Sequence, residues 1–171
     1  KRMSKDKYTA AGVTVDQGNL ATEKIKTMAR KMGVGEIGKC SCFFPLERKD
    51  FQQPVLVSSA DGVGTKLKIA FMMDVHHTVG RDLVNHCVDD ILVYGATPLF
   101  FLDYVATGKL NPETVSQIVS GIIDGCLDNQ FILLGGETAE MPGFSREKEY
   151  DLAGFIVGIV EKNRIIDGKN I

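Results

Sequence analysis

Three short polar segments of the chain hold residue types that bind phosphate groups and magnesium ions. The first covers residues 61–66 and reads Asp-Gly-Val-Gly-Thr-Lys. Asp61 offers a hard oxygen ligand for Mg²⁺, the glycines expose backbone N–H groups, and Lys66 is a phosphate-binding cation. The same pattern is equally compatible with a hairpin turn that carries a solvated lysine. The candidate residues of this segment are Asp61, Gly62, Gly64, Thr65 and Lys66.

The second segment covers residues 135–143 and reads Gly-Gly-Glu-Thr-Ala-Glu-Met-Pro-Gly. It follows the apolar residues 131–134, which predict a buried strand. Two glycines at the end of a strand allow a ligand to approach the backbone, because no Cβ lies in between. We therefore predict a binding loop rather than a plain turn. Its candidate residues are Gly135, Gly136, Glu137 and Glu140.

The third segment is a predicted helix over residues 78–94. Its periodicity brings Asp82, His86, Asp89 and Asp90 within about a quarter-turn of one another. Carboxylates on one helix face repel each other unless a positive group lies among them. Asp82 fits a solvent-exposed acidic face, whereas Asp90 lies at the edge of the apolar stripe, where an unpaired carboxylate is costly. His86 is more typical of a hydrogen-bonded surface histidine than of a ligand, since Mg²⁺ prefers oxygen.

Together these segments suit a magnesium–nucleoside triphosphate, in which the metal and cations neutralise phosphate charge. Other nucleotide-binding designs do not fit. The first segment lacks the third glycine of a dinucleotide-binding turn, and its lysine is misplaced for a Walker P-loop. By motif, no Ser-His-Asp or Cys-His arrangement competes.

The elements that must position these residues mix helices with strands, which predicts an α/β or α+β fold. Residues 1–18 are expected to be irregular, 33–54 to form a loosely ordered loop, and 67–73 to be ambiguous between helix and strand. Asp16 is expected to cap the first helix, and Asn111 followed by a proline to start another. The predicted elements are helices 19–32, 78–94 and one from 111, and strands 55–58, 99–105, 131–134 and 151–161.

Composition narrows the class of protein. A chain of 171 residues is one domain, or one domain with an appendage, and is long enough to bury a proper core. The formal net charge of −2 gives no reason to expect nucleic acid as a partner. No stretch of 18 apolar residues predicts a membrane span, and no apolar signal-peptide core follows residues 1–7. We therefore expect a cytoplasmic protein.

The four cysteines form neither a zinc spacing nor a disulfide framework. Cys87 and Cys126 are expected to be small buried hydrophobic residues. Cys40 and Cys42 could bind a metal, but this interpretation is disfavoured because no histidine or third cysteine lies nearby in the sequence.

From Tyr8 to Ile171, the sequence closely resembles the amino-terminal half of the phosphoribosylformylglycinamidine cyclo-ligase (aminoimidazole ribonucleotide synthetase) family. Asp90, followed after four residues by Gly-Ala-Thr-Pro, resembles a wider ATP-using superfamily. That superfamily includes formylglycinamidine synthetase, thiamine-phosphate kinase, selenophosphate synthetase and a hydrogenase maturation protein. The segments that carry the resemblance are 61–66, 90–98, 98–110 and 135–142, of which Phe-Phe-Leu-Asp-Tyr and Glu-Thr-Ala-Glu-Met-Pro are the most specific.

The resemblance implies an ATP-dependent ring closure in purine biosynthesis. Formylglycinamidine ribonucleotide would be phosphorylated on its formyl-amide oxygen, and the amidine nitrogen would then attack that carbon to give aminoimidazole ribonucleotide. Two alternatives stay open: a nucleotide-binding or dimerisation module that is inactive alone, and a kinase of the same superfamily.

The resemblance also implies roles for the candidate residues. Asp61 and Asp90 would hold Mg²⁺ on the phosphates, and Lys66 would contact phosphate together with the backbone at Gly135 and Gly136. Glu137 would lie near the metal or the substrate amidine. The catalytic set would be Asp61, Lys66, Asp90 and Glu137; the ATP-contacting set would add Lys39, Gly62, Gly64, Thr65, Gly135 and Gly136.

The architecture implied by the resemblance is a homodimer, in which mixed sheets with flanking helices pair across the interface into a β-barrel. Residues 1–54 would form an amino-terminal segment with a helix and a flexible loop, residues 55–171 the ATP-binding and dimer-forming core, and the carboxy-terminal domain would be absent. Three departures from the family pattern stand out: fewer glycines in 35–43, Ser59-Ala60 in place of Gly-Thr, and Asp89 in place of Asn.

Overall fold

The computed structural model describes residues 3–31, 43–47 and 49–169. Lys39, Cys40 and Cys42 therefore lie outside the described residues, as does half of the predicted loop 33–54. Among the described residues, no helix is long and apolar enough to cross a membrane. The helices are α1 (Met3–Ala10), α2 (Val15–Lys31), α3 (Leu67–Met73), α4 (His77–Leu92) and α5 (Pro112–Asp128), and the strands are β1 (Pro54–Gly62), β2 (Thr97–Thr107), β3 (Ile132–Glu140) and β4 (Tyr150–Glu161).

The four strands form one mixed sheet in the order β1-β4-β2-β3. Strand β4 is antiparallel to β1 and to β2, whereas β2 and β3 are parallel. Strands β1, β2 and β3 therefore point in the same direction and end at the same edge of the sheet. The predicted mixed α/β architecture with flanking helices is confirmed.

One row of residues crosses the whole sheet. Asp61 is opposite Gly154, Gly154 is opposite Asp103, and Asp103 is opposite Gly136. Directly opposed residues share a face of the sheet. A Cβ built on Gly154 would lie 3.0 Å from the Sγ atom of Cys87 in α4. The row thus faces the helices.

Helices α4 and α5 cover that face and pack closely against each other. Leu83, Ile91 and Ile122 are fully buried there, together with Cys87 and Cys126, as predicted for these two cysteines. Helix α2 packs onto α5 and contributes the buried Ala21 to the same core. The opposite face of the sheet carries large apolar side chains with substantial exposure.

The structure confirms the predicted helix 78–94 and the strands 99–105 and 151–161, each with slightly shifted ends. It also confirms the start of α5, where the Asn111 side-chain oxygen accepts hydrogen bonds from the backbone N–H groups of Glu113 and Thr114. The ambiguous residues 67–73 are helical.

Other predictions were wrong. The segment 1–18 was expected to be irregular, but residues 3–10 form α1 and α2 starts at Val15, so that Asp16 belongs to the first turn of α2 instead of preceding it. Strand β1 continues to Gly62, so Asp61 belongs to the strand and the turn begins after it. Strand β3 continues to Glu140, through residues expected to form a loop. Pairing with β4 and β2 extends these strands despite their glycines, because strand formation depends on cross-strand partners more than on intrinsic preference.

Candidate active site

The end of β1 presents a carboxylate followed by a tight turn. Asp61 is exposed, and its Oδ1 atom accepts a hydrogen bond from the backbone N–H of Gly62 at 2.7 Å. Gly64 has φ +71°, a conformation that L side chains disfavour, and it begins the 3₁₀ turn Gly64–Lys66. The turn places Thr65 and Lys66 at the surface, directly after the carboxylate.

Lys66 is the positive group that the acidic face of α4 requires. Its Nζ atom lies 2.8 Å from Oδ2 of Asp82, and both side chains are partly exposed. Asp82 is therefore ion-paired, not merely solvated as predicted. An exposed pair of this kind contributes little stability, so Lys66 can exchange its partner at small cost.

Asp90 is held beside β1 by Ser59. The Ser59 hydroxyl donates a hydrogen bond to Asp90 Oδ2 at 2.5 Å. Asp90 is therefore not an unpaired carboxylate at the edge of the apolar stripe, since it has this partner and is also exposed. Asp61 and Asp90 nevertheless both lie near Cys87: burial raises the pKa of that thiol to about 12, a hydrogen bond with the backbone of Asp61 opposes the rise, and the two carboxylates add to it.

His86 bridges α4 and β1. Its Nδ1 atom lies 3.4 Å from the carbonyl oxygen of Gly62, so the prediction of a hydrogen-bonded histidine is confirmed. We call the group formed by Asp61, Lys66, Asp82, His86 and Asp90 the β1–α4 cluster.

The β1–α4 cluster can be tested for its fit to Mg²⁺. Within the described ranges, no group of three or more His, Cys, Asp or Glu side chains is arranged to hold a metal ion by itself. Asp61 and Asp90 still supply hard oxygen atoms at an exposed position. Mg²⁺ typically binds one or two carboxylates together with substrate phosphates. The donor set therefore fits a metal shared with phosphate groups and not a dedicated protein cage.

Gly135, Gly136 and Glu137 lie elsewhere, along a groove of about 1000 Å³ beside the edge strand β3. The groove is also lined by α2, α5, β2, β4, Leu56 of β1 and the 43–47 segment, and apolar side chains form most of its wall, among them Leu110 and Val119. Two strands separate β3 from β1, which corresponds to about 14 Å at the usual strand spacing. The structure thus divides the predicted site residues between the β1–α4 cluster and this groove, which we call the β3 groove.

Gly136 does not leave room for a ligand as predicted. A Cβ at this position would lie 2.0 Å from Oδ1 of Asp103, so the carboxyl group of Asp103 already occupies that space. Gly136 is needed because Asp103 is there.

Asp103 is the site residue that the sequence reasoning missed. It is 8% exposed, lines the β3 groove, and lies between Asp61 and Gly136 in the row that crosses the sheet. Burial raises the pKa of its carboxyl group to about 7, its own backbone N–H opposes this, and the charge of Glu137 adds to it. The sequence did contain one signal for it. Asp103 lies within the apolar strand 99–105, at a position that the alternation of side chains along a strand directs towards the core.

Glu140, the second carboxylate of the 135–143 segment, has a structural task. Its Oε1 atom accepts from the backbone N–H of Leu110 and its Oε2 atom accepts from that of Thr14, both at 2.7 Å. It ties the start of α2 to the connection between β2 and α5.

Comparison with solved structures supports the fold. The chain is similar to HypE of E. coli, with a TM-score of 0.63 at 12% identity, covering 85% of this chain and 44% of that one. It is also similar to thiamine-monophosphate kinase of Stenotrophomonas maltophilia, with a TM-score of 0.58 at 12% identity, covering 85% of this chain and 43% of that one.

Sequence comparison identifies the family. A family model described as AIR synthase related protein, N-terminal domain, matches residues 49–160, and the chain belongs to this family. It is 55% identical over 168 residues to the phosphoribosylformylglycinamidine cyclo-ligase of Pseudothermotoga lettingae, covering 96% of this chain and 50% of that protein. It is 58% identical over 165 residues to the same enzyme of Caldanaerobacter subterraneus, covering 94% of this chain and 48% of that protein. The chain spans about half the length of these curated relatives.

Proposed function

We propose that this chain is the ATP-binding part of an ATP-dependent cyclo-ligase that converts formylglycinamidine ribonucleotide to aminoimidazole ribonucleotide in purine biosynthesis. The observation that carries the proposal is the β1–α4 cluster, in which two carboxylates and a lysine meet at the end of β1 in a member of this family. A neighbouring fold, the hydrogenase maturation protein HypE, has been crystallised in complex with ATP.

The β1–α4 cluster is the proposed phosphate end of the ATP site. Asp61 and Asp90 would hold Mg²⁺, which neutralises phosphate charge when it is bound. Lys66 would leave Asp82 and contact a phosphate oxygen. Gly62, Gly64 and Thr65 would surround the phosphates with backbone N–H groups, and Lys39, which lies outside the described residues, would add a second cation.

The β3 groove is the proposed substrate end. Gly135 and Gly136 would contact substrate or phosphate through their backbone, while the exposed Glu137 would lie near the metal or the amidine. The groove's apolar wall would exclude water around a bound substrate, which would strengthen the electrostatic interactions inside it.

The chemistry requires positioning more than a strong base. Transfer of the terminal phosphoryl group of ATP to the formyl-amide oxygen turns that oxygen into a good leaving group. The amidine nitrogen then attacks the same carbon, phosphate departs, and ADP remains. Holding both reactants in line and neutralising charge are the tasks left to the protein. We further propose a cytoplasmic location and a homodimer, with no nucleic-acid or membrane partner.

The metal site is tested with Asp90→Asn and the matched control Asp89→Asn, the neighbouring exposed carboxylate. Titration calorimetry with ATP in Mg²⁺ should show at least about tenfold weaker binding for Asp90→Asn, because one oxygen anion of the site is lost. Asp89→Asn should change affinity less than about twofold. Unchanged affinity in Asp90→Asn, with circular dichroism showing an intact fold, would remove Asp90 from the site.

The reaction is tested by mixing the chain with formylglycinamidine ribonucleotide, ATP and Mg²⁺ and following ADP and the imidazole product. The full-length cyclo-ligase of Pseudothermotoga lettingae serves as the positive control. ATP binding without product would identify the chain as a nucleotide-binding module that is inactive alone. ADP formed on a different acceptor would support the kinase alternative.

A further inference from the structure

We propose that Asp103 pairs with the amidine group of a ligand bound in the β3 groove. The proposal rests on the proposed function, because the substrate of the named relatives carries an amidine in its name. It assigns the contact to a residue in the middle of the sheet, deeper than the exposed Glu137.

The surroundings of Asp103 leave its carboxyl group without a counter-ion. Among the described residues, no cation pairs with this carboxyl group, and its own backbone N–H is the one group that lowers its pKa. A buried carboxylate without a partner is costly. The carboxyl group nevertheless lines the groove and is accommodated by the missing Cβ of Gly136. Its position therefore favours a partner that arrives from the groove.

The titratable groups around Asp103 explain why that partner should be a cation. Glu137 on β3 is negative and raises the pKa of the Asp103 carboxyl, and the buried Cys126 on α5 has a thiol whose pKa burial raises, so it stays neutral. Lys26 of α2 also lines the groove, but its Nζ atom lies 3.1 Å from Glu23 Oε1. The negative Glu137, together with Asp103 once it is ionised, repels an anionic ligand and attracts a cationic one, and the neutral thiol adds no charge.

The geometry of a carboxylate narrows the cation to a planar one. An amidinium presents two parallel N–H donors, which can bind both carboxylate oxygens at once. An ammonium is a point charge without this match. Because the pKa of Asp103 is near 7, ionising the carboxyl group at neutral pH requires little free energy. Pairing should lower that pKa and release the carboxyl proton to solvent.

The test uses benzamidine as the probe and benzamide as its neutral, isosteric control. Nuclear magnetic resonance titration of the chain at pH 6 should show at least about tenfold tighter binding of benzamidine, since only the cation gains the charge-assisted pair. Calorimetry in two buffers of different ionisation enthalpy should show release of about one proton per benzamidine bound. Asp103→Asn should abolish both the preference and the proton release.

Asp124→Asn on α5 is the control variant, and it should behave as the unmodified chain does. Equal binding of benzamidine and benzamide, or a preference that survives in Asp103→Asn, would overturn the proposal. Binding of Mg²⁺ and ATP is measured on the same sample. Intact ATP binding without a benzamidine preference refutes the role of Asp103 and leaves the proposed function standing. A benzamidine preference without ATP binding supports the pairing and contradicts the proposed function.

Discussion

At the scale of single residues, Asp103 differs from the other buried polar side chains. His76 has Tyr150 on Nδ1 at 2.9 Å and Asp74 on Nε2 at 3.2 Å, and the Thr107 hydroxyl reaches the carbonyl oxygen of Lys109 at 3.0 Å. His76 Nε2 donates to the Asp74 carboxylate, and Nδ1 pairs with the Tyr150 hydroxyl. Burial raises the pKa of Tyr150 and keeps that hydroxyl protonated. Of these three buried polar residues, only Asp103 has no partner on another described residue, so its carboxyl group is available to a ligand.

Asp103 should also impose a pH dependence on stability. The pKa of its carboxyl group is about 7 in the folded chain and 3.8 in the reference state. The folded chain therefore holds the proton to a higher pH than the unfolded chain does. The contribution of Asp103 to the free energy of unfolding is full below pH 3.8 and is lost as the pH rises to about 7. Asp103→Asn should remove the slope and stabilise the chain at pH 8, by about 4 kcal/mol at most. Urea unfolding of both chains between pH 4 and 8 measures this; parallel profiles would contradict it.

At the scale of elements, two glycines allow α4 and α5 to approach closely. A Cβ on Gly80 would lie 2.1 Å from the carbonyl oxygen of Ile118, and one on Gly121 would lie 1.7 Å from that of His77. Glycine normally weakens a helix interior. Here the close packing of α4 against α5 offsets that loss. Helix α4 is the element that holds Asp82 and Asp90 beside β1.

Gly121→Ala should therefore destabilise the chain by about 2 kcal/mol or more, because the new methyl group overlaps the backbone of α4. Gly18→Ala in α2 is the matched control, since a Cβ there meets nothing within 4 Å. It should stabilise the chain by about 0.5–1 kcal/mol through helix propensity. Urea titration measures the free energy of unfolding of both variants. Equal effects of the two substitutions would refute the packing argument.

At the scale of the whole molecule, the sheet has one covered and one open face. Leu56 is 55% exposed and Phe155 is 45% exposed on the side away from α4 and α5, and both also line the β3 groove. Large apolar side chains left open on a sheet mark an interaction surface. This face supports the proposed homodimer, in which a second copy of the sheet would cover it.

If the proposed homodimer forms through this face, replacing both Leu56 and Phe155 by Asp should convert it to a monomer, because four charges would be brought into the interface of a symmetric pair. Met72→Asp on α3 is the control, since Met72 is 85% exposed but does not lie on the sheet. Sedimentation equilibrium at micromolar concentrations measures the mass. A monomeric unmodified chain, or a dimer that survives the double substitution, would rule out this interface.

The sequence by itself determined the elements whose signals are local. The pair Asn111–Pro112 specifies a helix start because the cap and the proline act on adjacent backbone groups. The apolar period of α4 and the run in β2 likewise need no distant partner. The candidate residues Asp61, Lys66 and Asp90 were recognisable because they lie in short segments whose residue types and spacing can be read along the chain.

Only the tertiary structure decided which residues meet. Strands β1 and β3 run through their glycines because β4 and β2 supply hydrogen-bonding partners that are distant in sequence. The same pairing separates Glu137 from Asp61 and places Asp103 against Gly136. Burial and cross-strand opposition depend on residues far along the chain. For that reason the sequence could name the carboxylates, but not which of them would be buried without a counter-ion.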